Sequence, residues 1–170
     1  QHVVLTIAGS DSSGRAGIQA DIATIRSTGC HAATVITAVT AQNRTGVQAI
    51  HAIPTEIVEA QIRSVIKDTT PSSIKIGMIY NAEITKCIVR TIRDYPTIPI
   101  IYDPVMVSTS GGLLMSREAV DVIKEELFPI CELITPNIPE ASTLTNREIK
   151  NTDDMSEAAK ELCREYNCNV

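Results

Sequence analysis

Aromatic side chains are scarce in this sequence of 170 residues: they make up 3% of it, and tryptophan is absent. Stacking platforms for nucleobases and aromatic belts at membrane interfaces both need more of them, which argues against RNA readers and porins. Basic residues are not in excess either, since 15 Lys and Arg stand against 20 Asp and Glu for a net charge of −5. Without a concentrated basic face, we expect no nucleic-acid partner.

Paired cysteines and long apolar runs are also missing. The five cysteines are an odd number, dispersed along the chain, and no two form a CxxC pair. This pattern indicates neither a disulfide framework nor a zinc site, and it favours a reducing cytoplasm. No apolar run reaches the roughly 18 residues that a membrane-spanning helix needs, and the first residues do not resemble a signal peptide. We therefore expect a cytoplasmic protein with no membrane partner.

The length and the remaining composition are typical of one globular domain. Hydrophobic residues make up 44% of the chain and charged residues 21%, which is ordinary for a folded protein. No repeat or linker interrupts the sequence, so we expect a single domain over residues 1–170. The chain begins with Gln1 rather than Met and stops at Val170, directly after an amphipathic stretch. From this we expect a fragment of a longer protein.

Short β-branched runs alternate with helical patterns along the whole chain, which is typical of an α/β fold with a parallel sheet covered by helices. The predicted strands are residues 3–7, 34–39, 74–76, 98–102 and 133–135. They mostly lack period-two alternation, as expected for strands buried on both faces. Apolar residues spaced for one helical face predict helices over 18–25, 58–66, 84–92, 119–127 and 155–166. Asp153 or Asp154 is the predicted N-cap of the last helix.

The segment after the first predicted strand has the features of a ligand loop. In an open α/β sheet, ligands bind beyond the carboxyl ends of the strands. Glycines at 9, 14 and 17 follow this strand, together with the carboxylates Asp11 and Asp21. Their spacing matches neither the GxGxxG dinucleotide fingerprint nor a P-loop. Two interpretations stay open, a strand-to-helix connection capped by serines or a pocket for a small ligand, and the two carboxylates favour the pocket.

Polar and flexible residues also follow the second and third strands. Gln42 and Asn43 offer donors and acceptors suited to the edge of a heteroaromatic ring, although a polar turn would use the same residues. Gly77 permits close approach of a ligand, and Met78 supplies an adaptable apolar wall or simply a core contact.

Acidic and amide side chains follow strands four and five. Asp103 ends an apolar strand, where a carboxylate is costly to bury unless it meets a metal, a cation or hydrogen-bond donors. Asn137 and Glu140 lie three residues apart and share one face if a helix begins there. Such oxygen ligands suit Mg²⁺. A capping box with Asn137 at N-cap and Glu140 at N3 is the structural alternative, and both roles can hold together.

These segments together resemble the hydroxymethylpyrimidine and hydroxymethylpyrimidine-phosphate kinases of thiamin biosynthesis, in the ribokinase-like superfamily. The resemblance runs nearly end to end and rests on TIAGSDSSG (6–14), AGIQAD (16–21), ITA (36–38), AQN (41–43), KIGM (75–78), DPVM (103–106), ITPN (134–137) and EA (140–141). It implies a three-layer α/β/α fold with a mostly parallel central sheet. It also implies transfer of the γ-phosphoryl group of ATP to the hydroxymethyl oxygen, then to the resulting phosphate, with Mg²⁺ as cofactor and a homodimer as the assembly.

The resemblance also implies roles for particular residues. The pyrimidine pocket would be formed by Gly9, Ala16, Asp21, Gln42, Met78 and Val105. Within it, Asp21 and Gln42 would recognise the ring and its substituents. Asp103, Asn137 and Glu140 would position the ATP phosphates, with Asp103 and Glu140 as the Mg²⁺ ligands.

Two departures from the family pattern qualify this picture. Arg15 stands where the family usually carries glycine, which would stiffen the loop or bring a cation toward the substrate phosphate. The family's glycine-rich anion hole and its catalytic residue are expected beyond Val170. No catalytic residue is therefore assigned, and we expect the kinase domain to lack its C-terminal third.

Two other functions stay open from the sequence. A pyridoxal-type vitamin B6 kinase shares the opening loop and accepts a ring of similar size with a hydroxymethyl arm. Gln42 favours the pyrimidine, because an amide can both donate and accept at the ring edge. A non-catalytic pyrimidine-binding module would keep the pocket without the chemistry.

Overall fold

A six-stranded sheet forms the centre of the computed structural model, which describes residues 2–106 and 115–170. The strands are β1 (Val3–Asp11), β2 (His31–Asn43), β3 (Gly46–Ala52), β4 (Ser73–Ile76), β5 (Ile100–Tyr102) and β6 (Leu133–Ile134). They lie in the order β3-β2-β1-β4-β5-β6. All neighbours are parallel except β2 and β3, which form an antiparallel hairpin.

Helices cover both faces of this sheet. They are α1 (Gly17–Ser27), α2 (Thr55–Asp68), α3 (Ala82–Ile92), α4 (Arg117–Val122), α5 (Ile138–Thr145) and α6 (Thr152–Tyr166), with a π-helical turn at Ile123–Leu127 directly after α4. Helix α2 packs on α3 and α3 packs on α4, so these three share a layer. The crossover through α1 runs in the opposite direction along the sheet, which places α1 on the other face under the right-handed rule. The α/β fold with a mostly parallel sheet is confirmed.

Burial on both faces explains the apolar strand sequences. Four consecutive residues of β1, at positions 5–8, are fully buried, although their side chains alternate between the two faces of the sheet. The apolar stripe of α2, Val58, Ile62 and Ile66, is buried as well. No helix in the described part of the chain is long and apolar enough to cross a membrane.

Several predicted strand boundaries differ from those of the structure, and two of these differences change where candidate residues lie. Strand β1 continues past residue 7 to Asp11 through a register shift between Ala8 and Ser10, and β2 continues past residue 39 to Asn43. Asp11 and Gln42 are therefore strand residues rather than loop residues. The strand predicted over 98–102 begins later, at Ile100.

One strand was missed from the sequence, and one helix cap was predicted wrongly. Strand β3 was not predicted, because its residues are mostly half-buried or exposed and carry no continuous apolar run. The N-cap of α6 is Asn151, whose side chain accepts hydrogen bonds from the backbone N–H groups of Asp153 and Asp154. The two aspartates instead occupy the first turn of α6, where negative charge is favourable.

Candidate functional site

A cavity of about 300 Å³ opens at the carboxyl ends of β1, β2, β4 and β5. Its lining includes all six residues of the expected pyrimidine pocket, namely Gly9, Ala16, Asp21, Gln42, Met78 and Val105. Asp103 lines the same cavity, whereas Asn137 and Glu140 are not part of the lining. Arg15 is exposed and is not part of the lining either. The carboxyl edge of the sheet is thus where most of the predicted residues meet.

The loop between β1 and α1 is closed by the carboxylate of Asp11. This carboxylate accepts hydrogen bonds from the backbone N–H groups of Ser13, Arg15 and Ala16 at 2.8–3.0 Å, and from the Ser13 hydroxyl at 2.9 Å. Burial alone raises the pKa of Asp11, but these bonds outweigh it and hold the pKa below its usual value. Three N–H groups of the loop are therefore engaged by Asp11 instead of being free to cradle a phosphate.

No serine caps α1, contrary to one of the two sequence interpretations. The N-cap is Ala16, which forms no side-chain cap. Gly17 follows it with a φ of +58°, and a Cβ there would lie 2.3 Å from the Gly9 carbonyl oxygen. The loop thus closes onto β1 at a point where only glycine fits.

The acid dependence of stability tests the role of Asp11. Because the folded pKa of Asp11 lies below its unfolded value, the ionised carboxylate stabilises the fold above the unfolded pKa. That contribution is lost as the pH falls through the folded pKa. We expect Asp11→Asn to lower the free energy of unfolding by about 1–2 kcal/mol at neutral pH. Urea unfolding at neutral pH and near pH 3 should show that difference shrinking, and a difference independent of pH would contradict it.

An ion pair between Lys75 and Asp21 lies in the cavity lining. Lys75 Nζ on β4 lies 3.0 Å from both carboxylate oxygens of Asp21 on α1. The Thr6 hydroxyl also donates to Asp21 Oδ2. Sequence analysis gave Lys75 no role, although a lysine between two buried isoleucines on a short strand is an unusual residue that could have drawn attention.

The Gln42 side chain is well placed to meet a ligand. The Thr40 hydroxyl donates to the Ser10 carbonyl oxygen at 2.8 Å and lies 3.3 Å from Gln42 Oε1. Since that hydroxyl has one proton, a flipped amide with Nε2 donating to Thr40 is equally compatible with these positions. Gln42 can therefore present either a donor or an acceptor to the cavity. Its backbone is held by two hydrogen bonds to the Ser12 hydroxyl.

Asp103 brings a second carboxylate to the cavity from the end of β5. Its backbone N–H donates to the Ile76 carbonyl oxygen at 2.9 Å. Within residues 2–106 and 115–170, no group donates a hydrogen bond to its carboxylate. Burial raises the pKa of Asp103, while the positive charge of Lys75 acts in the opposite direction. Asp103 is thus a half-buried acid that keeps its acceptor capacity for a ligand.

Asn137 and Glu140 form the capping box that the sequence offered as one of two roles. Asn137 Oδ1 accepts from the Glu140 N–H at 2.9 Å, and Glu140 Oε2 accepts from the Asn137 N–H at 2.8 Å. Burial raises the pKa of Glu140, the hydrogen bond from Asn137 opposes this, and the negative charge of Asp103 raises it further. The capping role is confirmed, and Glu140 is close enough to Asp103 for their charges to interact.

The donor set fits a metal ion that arrives with phosphates rather than one held by protein alone. In the part of the chain that the structure describes, no three or more His, Cys, Asp or Glu side chains are grouped as a metal site. Asp103 and Glu140 would supply two carboxylates. One or two carboxylates, together with substrate phosphates and water, are what protein-bound Mg²⁺ usually takes.

A mostly parallel sheet with a cavity at its carboxyl edge is shared by many α/β folds, and two solved structures identify the class of this protein among them as ribokinase-like. The crystal structure of a phosphomethylpyrimidine kinase from Clostridium difficile 630 superposes with a TM-score of 0.91 at 43% identity, covering 97% of this chain and 71% of that one. A pyridoxal kinase from Bacillus subtilis, solved as an ADP complex, superposes with a TM-score of 0.86 at 34% identity, covering 96% and 61%.

Residues 11–170 match the sequence profile of the phosphomethylpyrimidine kinase family, and the chain belongs to that family. A hydroxymethylpyrimidine/phosphomethylpyrimidine kinase from Haemophilus influenzae is 46% identical over 167 residues, which are 98% of this chain and 62% of that protein. One from Bacillus subtilis is 44% identical, covering 96% and 60%. The chain therefore spans about three fifths of the length of these two relatives. The family predicted from the sequence is confirmed.

Proposed function

We propose that this protein is an ATP-dependent kinase that phosphorylates 4-amino-5-hydroxymethyl-2-methylpyrimidine and then its monophosphate. The observation that carries the proposal is one cavity in which the Gln42 amide, the Asp21 carboxylate and the Asp103 carboxylate all take part in the lining. The first two match the polar edge of an aminopyrimidine. The third has no donor from the described residues and is suited to the reacting end of the substrate.

The residues of the cavity divide between recognition and chemistry. Gln42 and Asp21 would bind the ring nitrogen and the exocyclic amino group, while Met78 and Val105 would contact the faces of the ring. Phosphoryl transfer depends mainly on positioning and on neutralising negative charge. Mg²⁺, bound with ATP, would supply that neutralisation, and Asp103 with Glu140 would hold it. Asn137 would keep Glu140 in place through the capping box.

Replacing Gln42 tests ligand recognition directly. We expect Gln42→Ala to weaken binding of hydroxymethylpyrimidine by about 1–3 kcal/mol, because a polar partner is lost from a buried ring edge. Calorimetric titration of the full chain measures this. Gln48→Ala is the matched control, since Gln48 is exposed on β3 and does not line the cavity. An unchanged affinity would place Gln42 outside the binding site.

Two competing functions are separated by the same titration and by a rate measurement. Pyridoxal binding tighter than hydroxymethylpyrimidine binding would favour a vitamin B6 kinase, the activity named for the structural neighbour from Bacillus subtilis. Binding of the pyrimidine without ATP consumption by the full-length protein would favour a non-catalytic module. The Gln42 amide favours the aminopyrimidine, because an amide can both donate and accept at the ring edge.

The assembly is proposed on the family resemblance alone, and the location on the dispersed cysteines, which favour a reducing compartment. We propose a homodimer that acts in the cytoplasm on small-molecule substrates, with no nucleic-acid or membrane partner. Sedimentation equilibrium of the full chain would test the dimer, and a monomer at micromolar concentration would contradict it.

A further inference from the structure

Positive charge is scarce in the cavity. Among the described lining residues, Lys75 is the one lysine or arginine, whereas the carboxylates are Asp11, Asp21 and Asp103. Asp11 already accepts four hydrogen bonds from its own loop. Lys75 therefore faces two carboxylates that the loop does not satisfy, and its contact is with Asp21.

The contact between Lys75 and Asp21 fixes the orientation of the carboxylate. Lys75 Nζ lies at 3.0 Å from each oxygen, and the Thr6 hydroxyl adds a second donor to Oδ2. The side chains of Lys75 and Asp21 are only 27% and 17% exposed, so this pair is screened less by solvent than a surface ion pair. A carboxylate oxygen accepts about two hydrogen bonds. Oδ1, with one donor, therefore keeps a site for a further donor.

The residues next to Lys75 on β4 favour the contact between its ammonium group and Asp21. Lys75 lies on β4, and its neighbours Ile74 and Ile76 are buried in the core. A Cβ at Gly77 would lie 2.8 Å from Lys75 Nζ, so the Lys75 ammonium group occupies space that a side chain at position 77 would reach. The ion pair joins β4 to α1. The contacts of the Asp21 carboxylate with Lys75 and Thr6 thus orient it.

We propose that Lys75 is a positioning residue that holds the Asp21 carboxylate with Oδ1 available to an N–H donor on the ligand ring. The inference rests on the proposed function, because the donor it names is the exocyclic amino group of an aminopyrimidine. It adds a basis for selectivity. A ring without a donor at this edge leaves Oδ1 unpaired beside a fixed charge, and unpaired buried polar groups are what give strong discrimination.

Binding of two ligands to Lys75 variants tests the inference. The ligands are hydroxymethylpyrimidine and the same pyrimidine without its amino group, titrated calorimetrically into the full chain. We expect Lys75→Met to weaken binding of the aminopyrimidine by about 10- to 100-fold, as for a lost hydrogen bond to a charged group, and to leave the analogue unaffected. Lys86→Met removes the same charge from an exposed position on α3 and should leave both affinities unchanged.

A double-mutant cycle separates positioning from direct contact. Because Lys75 acts through Asp21, the double variant Lys75→Met/Asp21→Asn should lose no more affinity for the aminopyrimidine than Asp21→Asn alone. If Lys75→Met does not fold, Lys75→Gln keeps a donor beside Asp21 and should show a smaller loss confined to the aminopyrimidine. Thermal unfolding identifies the variants that are folded.

Three results would overturn the inference while the proposed function stands: equal loss for both ligands, losses that add in the double variant, or an unchanged affinity in Lys75→Met. If the unaltered chain binds no aminopyrimidine, the proposed function itself fails, and the inference with it. The titration of the unaltered chain therefore distinguishes the two failures.

Discussion

Asp103→Asn should lower kcat of the full-length protein by about 10²–10³-fold, the loss that follows when one charge-stabilising group is removed from an active site. The carboxylate lines the cavity at the end of β5 and receives no hydrogen bond from the described residues. Asparagine keeps its size and removes the charge that would bind phosphate-associated Mg²⁺. Because Asp103 is not among the groups proposed to bind the ring edge, the pyrimidine dissociation constant should change less than kcat does.

Magnesium titrations of the initial rate measure this effect. Asp103→Asn and Glu140→Gln should both raise the Mg²⁺ concentration that gives half-maximal rate. Glu140→Gln also weakens the capping box of α5, so its thermal unfolding must be measured alongside. Asp121→Asn, at an exposed position on α4, is the control for removal of a carboxylate. A variant whose rate and Mg²⁺ dependence match those of the unaltered protein would remove that acid from the metal site.

Gly17→Ala should lower the free energy of unfolding by about 2–4 kcal/mol, from the sum of a left-handed backbone and a steric overlap. The φ of Gly17 is +58°, and the added Cβ would lie 2.3 Å from the Gly9 carbonyl oxygen. That contact is with backbone of β1, which cannot rotate away as a side chain would. The strand or the loop must therefore move.

Gly14→Ala separates the two causes. Gly14 also has a positive φ, +74°, but a Cβ there would meet nothing within 4 Å. Its substitution should cost only the backbone term of about 1–2 kcal/mol. Urea unfolding of both variants gives the comparison. If Gly17→Ala costs no more than Gly14→Ala, the close approach to Gly9 does not contribute to stability.

The parts of the fold that could be predicted from sequence are those whose burial leaves a continuous pattern. Central parallel strands bury both faces, so their sequences are continuous apolar runs. Helices such as α2 have one apolar stripe. Strand β3 has neither, since the antiparallel hairpin leaves it half-exposed at the edge of the sheet. The formation of β3 depends on pairing with β2, and the local sequence of β3 does not indicate that pairing.

The same distinction applies to the candidate site. The sequence was sufficient to propose three site residues, Gln42, Asp21 and Asp103. Each follows, or lies near, the carboxyl end of a predicted strand or belongs to one of the family's motifs. The Lys75–Asp21 pair joins residues 54 positions apart, and only the packing of α1 against the sheet brings them together. The capping box of Asn137 and Glu140 is local in sequence, which is why its spacing was sufficient to predict it.

The closure of the β1–α1 loop by Asp11 has a consequence for the kinetics and thermodynamics of ligand capture. Because the loop is ordered by its own hydrogen bonds, a ligand entering the cavity need not immobilise it. The entropy cost of ordering a segment, which weakens many recognition events, is already met in the unliganded state. This wall of the cavity should therefore add no slow ordering phase to association.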